Sequence, residues 1–290
     1  MMTNTTRGHT RLLGLIDAAV CPSVIYPLLE KSGTDFCSVF SGLPEEELGP
    51  ASLFLAPIDD VAADWVVELD RIDLHSPCLS LVWSRVDSPL LVSHLQAFLF
   101  ADIGDGMTAM VRYFDPRTTG AVFKVWGEQI GNMFMGPIER WMYRGRHADW
   151  QRIENDSLTG ARICRSIRIE LEQADIDALC AHSEPDELLA LLIESGLVDG
   201  APPYLDRLAG FMPRYQRAAE WGLVEATDRL SFCQHTYLYG ASFDRHEWVH
   251  HAMTARRASG KPLSDALDAM PQYVRAELQR KRAATQDAPL

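Results

Sequence analysis

His246-Glu247-Trp248-Val249-His250 matches H-E-x-x-H. On a helix this spacing sets two histidines one turn apart, able to hold zinc, with a glutamate to activate the metal-bound water. Three features oppose that chemistry. Asp244 puts a charge where a metalloprotease helix is usually apolar. No third-ligand signature follows; Asp265, Asp268 and Glu277 are merely acidic residues. The string also opens its helix, just after Gly240-Ala-Ser-Phe-Asp244, whereas zinc-protease motifs sit inside a buried one. The preferred reading is an amphipathic surface helix burying Trp248, Val249 and Met253. A zinc-dependent hydrolase using His246, Glu247 and His250 is the alternative.

His94 lies on an apolar stripe, where a lone histidine is more often a hydrogen-bonded core residue than a catalyst. A His94–Asp115 dyad is conceivable, but no serine or cysteine stands in a nucleophile-elbow context to complete it. Gly104-Asp-Gly106 is a turn and not a phosphate loop, and Leu13-Gly-Leu15 is no dinucleotide fingerprint. The six cysteines are scattered without a Cys-x-x-Cys. They read as small residues of a protein kept in a reducing compartment, with neither a zinc knuckle nor a redox pair. No cofactor is expected.

The elements that must position these residues change character along the chain. Residues 12–145 alternate short apolar strands with helices, which reads as an α/β domain, a mixed sheet with flanking helices. Strands are expected at Leu12–Asp17, Phe36–Phe40, Leu53–Ala56, Cys78–Trp83 and Thr108–Phe114. Helices are expected at Val24–Lys31, Asp60–Leu69 (with Val61, Trp65 and Leu69 on one face) and Thr118–Trp126. A further helix starts at Ser88-Pro89, with Ser88 as its cap, and carries Leu90, Leu91, His94, Leu95, Phe98 and Leu99 on one stripe. Residues 146–172 read as a linker or an extra strand, with Arg165–Leu171 alternating. Residues 173–284 form an all-α C-terminal lobe. Its helices are expected at Ala174–His182, Pro185–Ser195, Tyr204–Trp221, Thr227–Tyr239, Asp244–Ala258 and Leu263–Ala284, the last broken at Pro271. Residues 285–290 read as a disordered tail.

The totals narrow the partners. The chain has 290 residues, 47% hydrophobic and 23% charged, with a formal net charge of −13. That balance opposes nucleic acid and anionic membrane surfaces as main partners. No run approaches the length of a membrane span, and Asp17 interrupts the apolar stretch after Arg11 that would imitate a signal peptide. A cytoplasmic location is expected.

The segment Leu90–Met142 carries a more specific signal. It contains His94-Leu95, Gly104-Asp-Gly106, Arg112-Tyr113-Phe114-Asp115-Pro116-Arg117 and Phe134-Met-Gly136-Pro137. In this it resembles the type VI secretion effector chaperones, the Tap or Tec adaptors. Leu15-Ile-Asp-Ala18, Gly49-Pro50 and Ala218-Ala-Glu-Trp-Gly-Leu223 extend the likeness over most of the chain. Gln96 and Val111 depart from the family's usual arginine and phenylalanine. The resemblance implies a non-catalytic protein that binds a toxic effector in the cytoplasm and loads it onto the VgrG spike. His94, Arg112, Tyr113, Asp115, Pro116, Arg117, Gly136 and Pro137 would then be a structural cluster. Trp126 and Trp141 on the first lobe, and Tyr204, Tyr215 and Trp221 on the second, are the aromatic candidates for partner contact.

Overall fold

The computed structural model describes residues 10–155 and 162–286; the N-terminal residues, part of the 146–172 segment and the end of the tail lie outside that range. Its organising strand is β1 (Arg11–Asp17). Period-2 alternation sends Leu13 and Leu15 to one face and Ile16 to the other, and both faces are buried. β1 therefore reads as an almost unbroken apolar run. It pairs with β3 (Leu53–Pro57) and β4 (Leu79–Ser84), Leu15 lying opposite Leu55 and Ser80. β2 (Cys37–Ser38), β7 (Ile138–Tyr143) and β8 (Gln151–Glu154) complete a sheet of order β2-β3-β1-β4-β7-β8. Every pairing in it is antiparallel, where the alternating pattern had allowed a mixed sheet. A separate two-stranded ribbon joins β5 (Phe100–Asp102) to β6 (Thr108–Met110).

Helices cover both faces. α1 (Pro22–Ser32) and α2 (Asp64–His75) bury Ile25, Leu29 and Leu69 against Ile16, Phe54 and Leu79. Val61, expected on the α2 face, precedes the helix and is exposed. On the other face, α3 (Ser88–Gln96) and α4 (Thr119–Phe134) supply Leu91, Leu95, Val122 and Trp126. The cap of α3 is Asp87, one residue before the expected Ser88, and its Oδ1 accepts from the Leu90 amide at 3.1 Å. α4 runs past the expected Trp126 through a non-helical Gly127 (φ 62°, ψ −169°). Three expected strands shrink, Phe36–Phe40 to the two residues of β2. The one at 108–114 keeps only β6, because the chain then turns to bury Tyr113. Arg165–Leu171 makes a single parallel bridge, Glu170 to Asp102, with Ile169 and Leu171 bonding the Asp102 backbone.

The C-terminal region is helical as expected: α5 (Gln173–Glu194), α6 (Tyr204–Glu220), α7 (Ala226–Tyr239), α8 (Glu247–Ser259), α9 (Leu263–Asp268) and α10 (Gln272–Gln286). The last two divide at Met270-Pro271. The chain forms two compact units, 1–183 and 184–290. The division falls inside α5, later than the change in sequence character at residue 173. The first unit holds the sheet and two cores. The second is built around Leu192, Phe211 and Cys233 in one cluster and Phe232, Phe243 and Val249 in another.

Candidate functional site

The Arg112–Arg117 string is a turn that closes on its own charges. Tyr113 is wholly buried, and its hydroxyl donates to the Leu95 carbonyl at 2.8 Å. The ring packs against Phe134, Trp126 and Trp141. From that anchor the chain reverses: the Asp115 amide bonds Arg112 O, and the Thr118 and Thr119 amides bond Asp115 O. Pro116 pre-sets the turn and α4 follows. Thr119 Oγ1 donates back to the carbonyls of Tyr113 and Asp115, both at 2.9 Å.

Asp115 is the hub. Oδ1 accepts from the Arg117 amide at 3.0 Å and from Arg117 Nε at 2.9 Å, and Oδ2 accepts from Arg117 Nη2 at 2.7 Å. Arg112 Nη2 lies 3.4 Å from Asp115 Oδ2 and 3.1 Å from Asp17 Oδ2 at the end of β1. Burial pushes the Asp115 carboxyl up, but the Arg117 and Arg112 guanidinium groups outweigh it and hold its pKa below the usual carboxylate value. Asp17 moves the other way: burial raises its pKa, and the neighbouring Asp115 charge adds to that against the pull of Arg112. Two carboxylates and two guanidinium groups thus satisfy one another. The arrangement fixes the β1 end to the α4 start.

His94 is fully buried and also committed. Its Nε2 donates to Phe134 O at 2.7 Å, and its Nδ1 accepts from the Cys164 amide at 2.9 Å. Those two bonds set the tautomer, and burial lowers the ring's pKa. With both nitrogens on backbone partners, His94 forms no dyad with Asp115. Gly136 serves the same junction: a Cβ there would meet Arg162 O at 2.4 Å, so only glycine lets that backbone approach.

Arg144, just past β7, is a structural hub that its polar neighbours conceal in the sequence. It is 8% exposed and gives Nε and Nη2 to Asp73 Oδ2 at 2.9 and 2.7 Å, with Nη2 also reaching Asp70 Oδ1 at 2.7 Å. Asp73 Oδ1 takes the amides of Cys78 and Leu79, both at 2.8 Å, securing the start of β4. The polar look of Arg144-Gly-Arg-His147 suggested a linker. Ile138-Glu-Arg-Trp-Met-Tyr143 just before it does not alternate, so no period marked the strand that ends there.

Beside the Asp115 turn lies a cleft of about 620 Å³. Pro116, Arg117, Gly120, Lys124, Tyr143, Arg146, His147, Asp175 and His182 line it. Gly145 (φ 55°) brings the β7 end against the turn; a Cβ there would meet Pro116 O at 2.1 Å. His182 Nε2 bonds Arg117 O at 2.8 Å, and Arg146 Nη2 donates to His182 O.

The aromatic contact candidates are used internally. Trp126 and Trp141 are buried within the Phe98–Tyr113–Phe134 cluster, which corrects the expectation that they face a partner; large rings at core spacing fill the core first. Tyr204 is buried and donates to Asp186 at 2.6 Å. Tyr215 and Trp221 are half-buried and bond Glu184 at 3.1 Å and Asp244 at 2.8 Å.

The H-E-x-x-H string does not assemble a metal site. His246 is the extended N-cap of α8; its Nδ1 accepts from the Trp248 amide at 3.2 Å and its Nε2 sits 3.4 Å from Glu277. His250 is exposed, its ring against Trp221. Buried Asp244, the charge that argued against the motif, holds Arg217 and the Trp221 indole. Among the described residues no group of three or more His, Cys, Asp or Glu is placed to hold a metal ion.

Among the described residues no helix is long and apolar enough to cross a membrane. Residues 14–130 match the family model described as Domain of unknown function (DUF4123). That span runs from β1 to the last turns of α4 and includes the Arg112–Arg117 turn. No curated protein and no solved structure matches the chain.

Proposed function

We propose that this protein is a non-catalytic adaptor: it binds a type VI secretion effector in the cytoplasm and loads it onto the VgrG spike. The observation that carries the reading is the match of residues 14–130 to a domain known in type VI effector adaptors. Its most specific string, Arg112–Arg117, is spent on holding the fold. The network around Asp115 has no unpaired acid or base poised for a substrate, and His94 has no free nitrogen. The acidic net charge of −13 disfavours nucleic acid as the cargo.

The test is co-expression with the neighbouring toxin and spike genes, then affinity capture and size-exclusion chromatography. The expected result is a stable complex with one toxin and with the spike, neither being modified. Deletion of the gene abolishes secretion of that toxin while the secretion machine stays active. Normal secretion without the gene, or no complex at micromolar concentration, sinks the reading.

A further inference from the structure

The sheet ends on a strand whose outer edge is unused. β8 pairs with β7, and the bond from the Asn155 amide to Glu139 O at 3.0 Å fixes which of its groups face inward. Asn155 and Glu139 are a hydrogen-bonded pair, so by period 2 Ile153 and Gln151 also bond β7. The amides and carbonyls of Arg152 and Glu154 then point away from the sheet. Among the described residues none hydrogen-bonds those groups. Charged side chains usually blunt such an edge against other strands. On β8 the exposed charges, Arg152 and Glu154, are opposite in sign and share one face of the strand. Laid antiparallel on a copy of itself about a two-fold axis at Ile153, the strand sets Arg152 against the copy's Glu154 at both ends. Those are also the positions whose outward amides and carbonyls match, each pair exchanging both bonds. Ile153, half-buried at the margin of the core, meets its counterpart in the closer, non-hydrogen-bonded position. A slip of two residues either way would set arginine against arginine or glutamate against glutamate. Arg152 has no ion-pair partner among the described residues. Glu154 receives Arg140 Nε at 2.9 Å on Oε1, which leaves Oε2 for the copy's arginine.

We propose that the protein self-associates through β8, two copies pairing antiparallel about Ile153 so that their sheets continue edge to edge. The inference goes beyond the adaptor reading and does not depend on it. A second copy is favoured over a foreign strand because this edge is its own complement in charge and in hydrogen-bond register, as a two-fold contact requires. The strand is short, so the association is weak and reversible.

The test is sedimentation velocity on the full-length protein alone, from about 5 to about 300 μM, a range that brackets a weak dimer. The expected result is a mean mass rising with concentration toward twice that of one chain. Arg152→Glu and Glu154→Arg each set like charges opposite one another at both ends, and each should weaken association about tenfold or more. Mixed together, the two variants should associate at least as tightly as wild type, one edge then being all acidic and the other all basic. Both positions are exposed, so their melting temperatures should match wild type. Separately, Ile153→Cys should give an oxidised cross-linked dimer that wild type does not, because facing residues at this position bring their Cβ atoms within disulfide reach. A chain that stays monomeric to about 300 μM overturns the proposal. So does a dimer indifferent to both charge reversals, which would use another surface, a pair of variants that does not recombine, or an Ile153→Cys protein that cross-links no more than wild type.

Discussion

Asp115 shows how one side chain can carry a family-like string without chemistry. Its two oxygens take three bonds from Arg117 and lie beside Arg112, and its main chain starts α4. Asp115→Ala would remove the three bonds this carboxylate takes from Arg117, one of them from its amide, and one of the two carboxylates beside Arg112, which keeps Asp17. Both arginines keep some solvent contact, which softens the loss relative to a fully buried pair. The expected destabilisation is about 2–3 kcal/mol by urea unfolding. Asp115→Asn keeps a turn acceptor without the charge and should recover part of it. Effector binding should fall only as far as folding falls. A variant with wild-type stability and no binding would make the turn a contact surface. Gln96 gives a second residue-scale lesson: where the resemblance has arginine, its amide bonds the carbonyls of Val39 and Ser41 at 2.9 and 2.8 Å, a neutral strut between α3 and the loop after β2.

At the scale of elements, His94 joins three pieces of chain: α3, which carries it, the end of α4 through Phe134, and the segment at Cys164. Burial favours the neutral ring, so its folded pKa lies below its ordinary 6.5. Below pH 6.5 the unfolded chain binds the extra proton first. The stabilisation is therefore complete above about pH 6.5 and drains away as pH falls toward the folded value. One proton bounds the slope at about 1.4 kcal/mol per pH unit. His235 in α7 shifts the same way through burial, so the wild-type profile contains both. The difference between wild type and His94→Gln isolates one. Urea midpoints at pH 7.5 and 5.5 should drop more in wild type than in His94→Gln; equal drops would refute the junction role. The helical stripe of α3 was legible because apolar residues recur at helical spacing, and α6 and α7 because Gly and Pro punctuate them. β8 was not: Gln151–Glu154 is a short edge strand with one half-buried isoleucine, too little for a period to show. The break expected before Pro185 does not occur. α5 runs on through the proline, whose missing amide costs only the one bond to the Ala181 carbonyl. The cleft was least legible. Its cations come from α4 and the β7 end and look, in sequence, like surface charge and a linker.

At the scale of the molecule, the change from strand alternation to helices announced two regions but not where they divide. Composition changes at the first residue of α5, whereas packing changes in its middle, at Ser183–Glu184. Beyond that point Glu184 is held by Arg229 and Tyr215, and Leu188, Leu189 and Leu192 enter a core with Phe211 and Cys233. Each unit closes its own apolar clusters. Local opening should therefore follow the units. Phe232 is fully buried on α7 between Phe243 and the rest of the second unit's core. Phe232→Ala removes a ring from that core at a cost of about 3–5 kcal/mol. Hydrogen exchange followed by mass spectrometry should then speed up in peptides from 184–286 and stay at wild-type rates in β1, β3, β4 and β7. Phe134→Ala, in the Tyr113 cluster, should give the complementary pattern, with α3, α4 and β7 accelerated and α6 through α10 unchanged. Uniform acceleration in both variants would mean that the chain opens as one cooperative body, and that the strand-bearing and helical regions do not hold their stability separately.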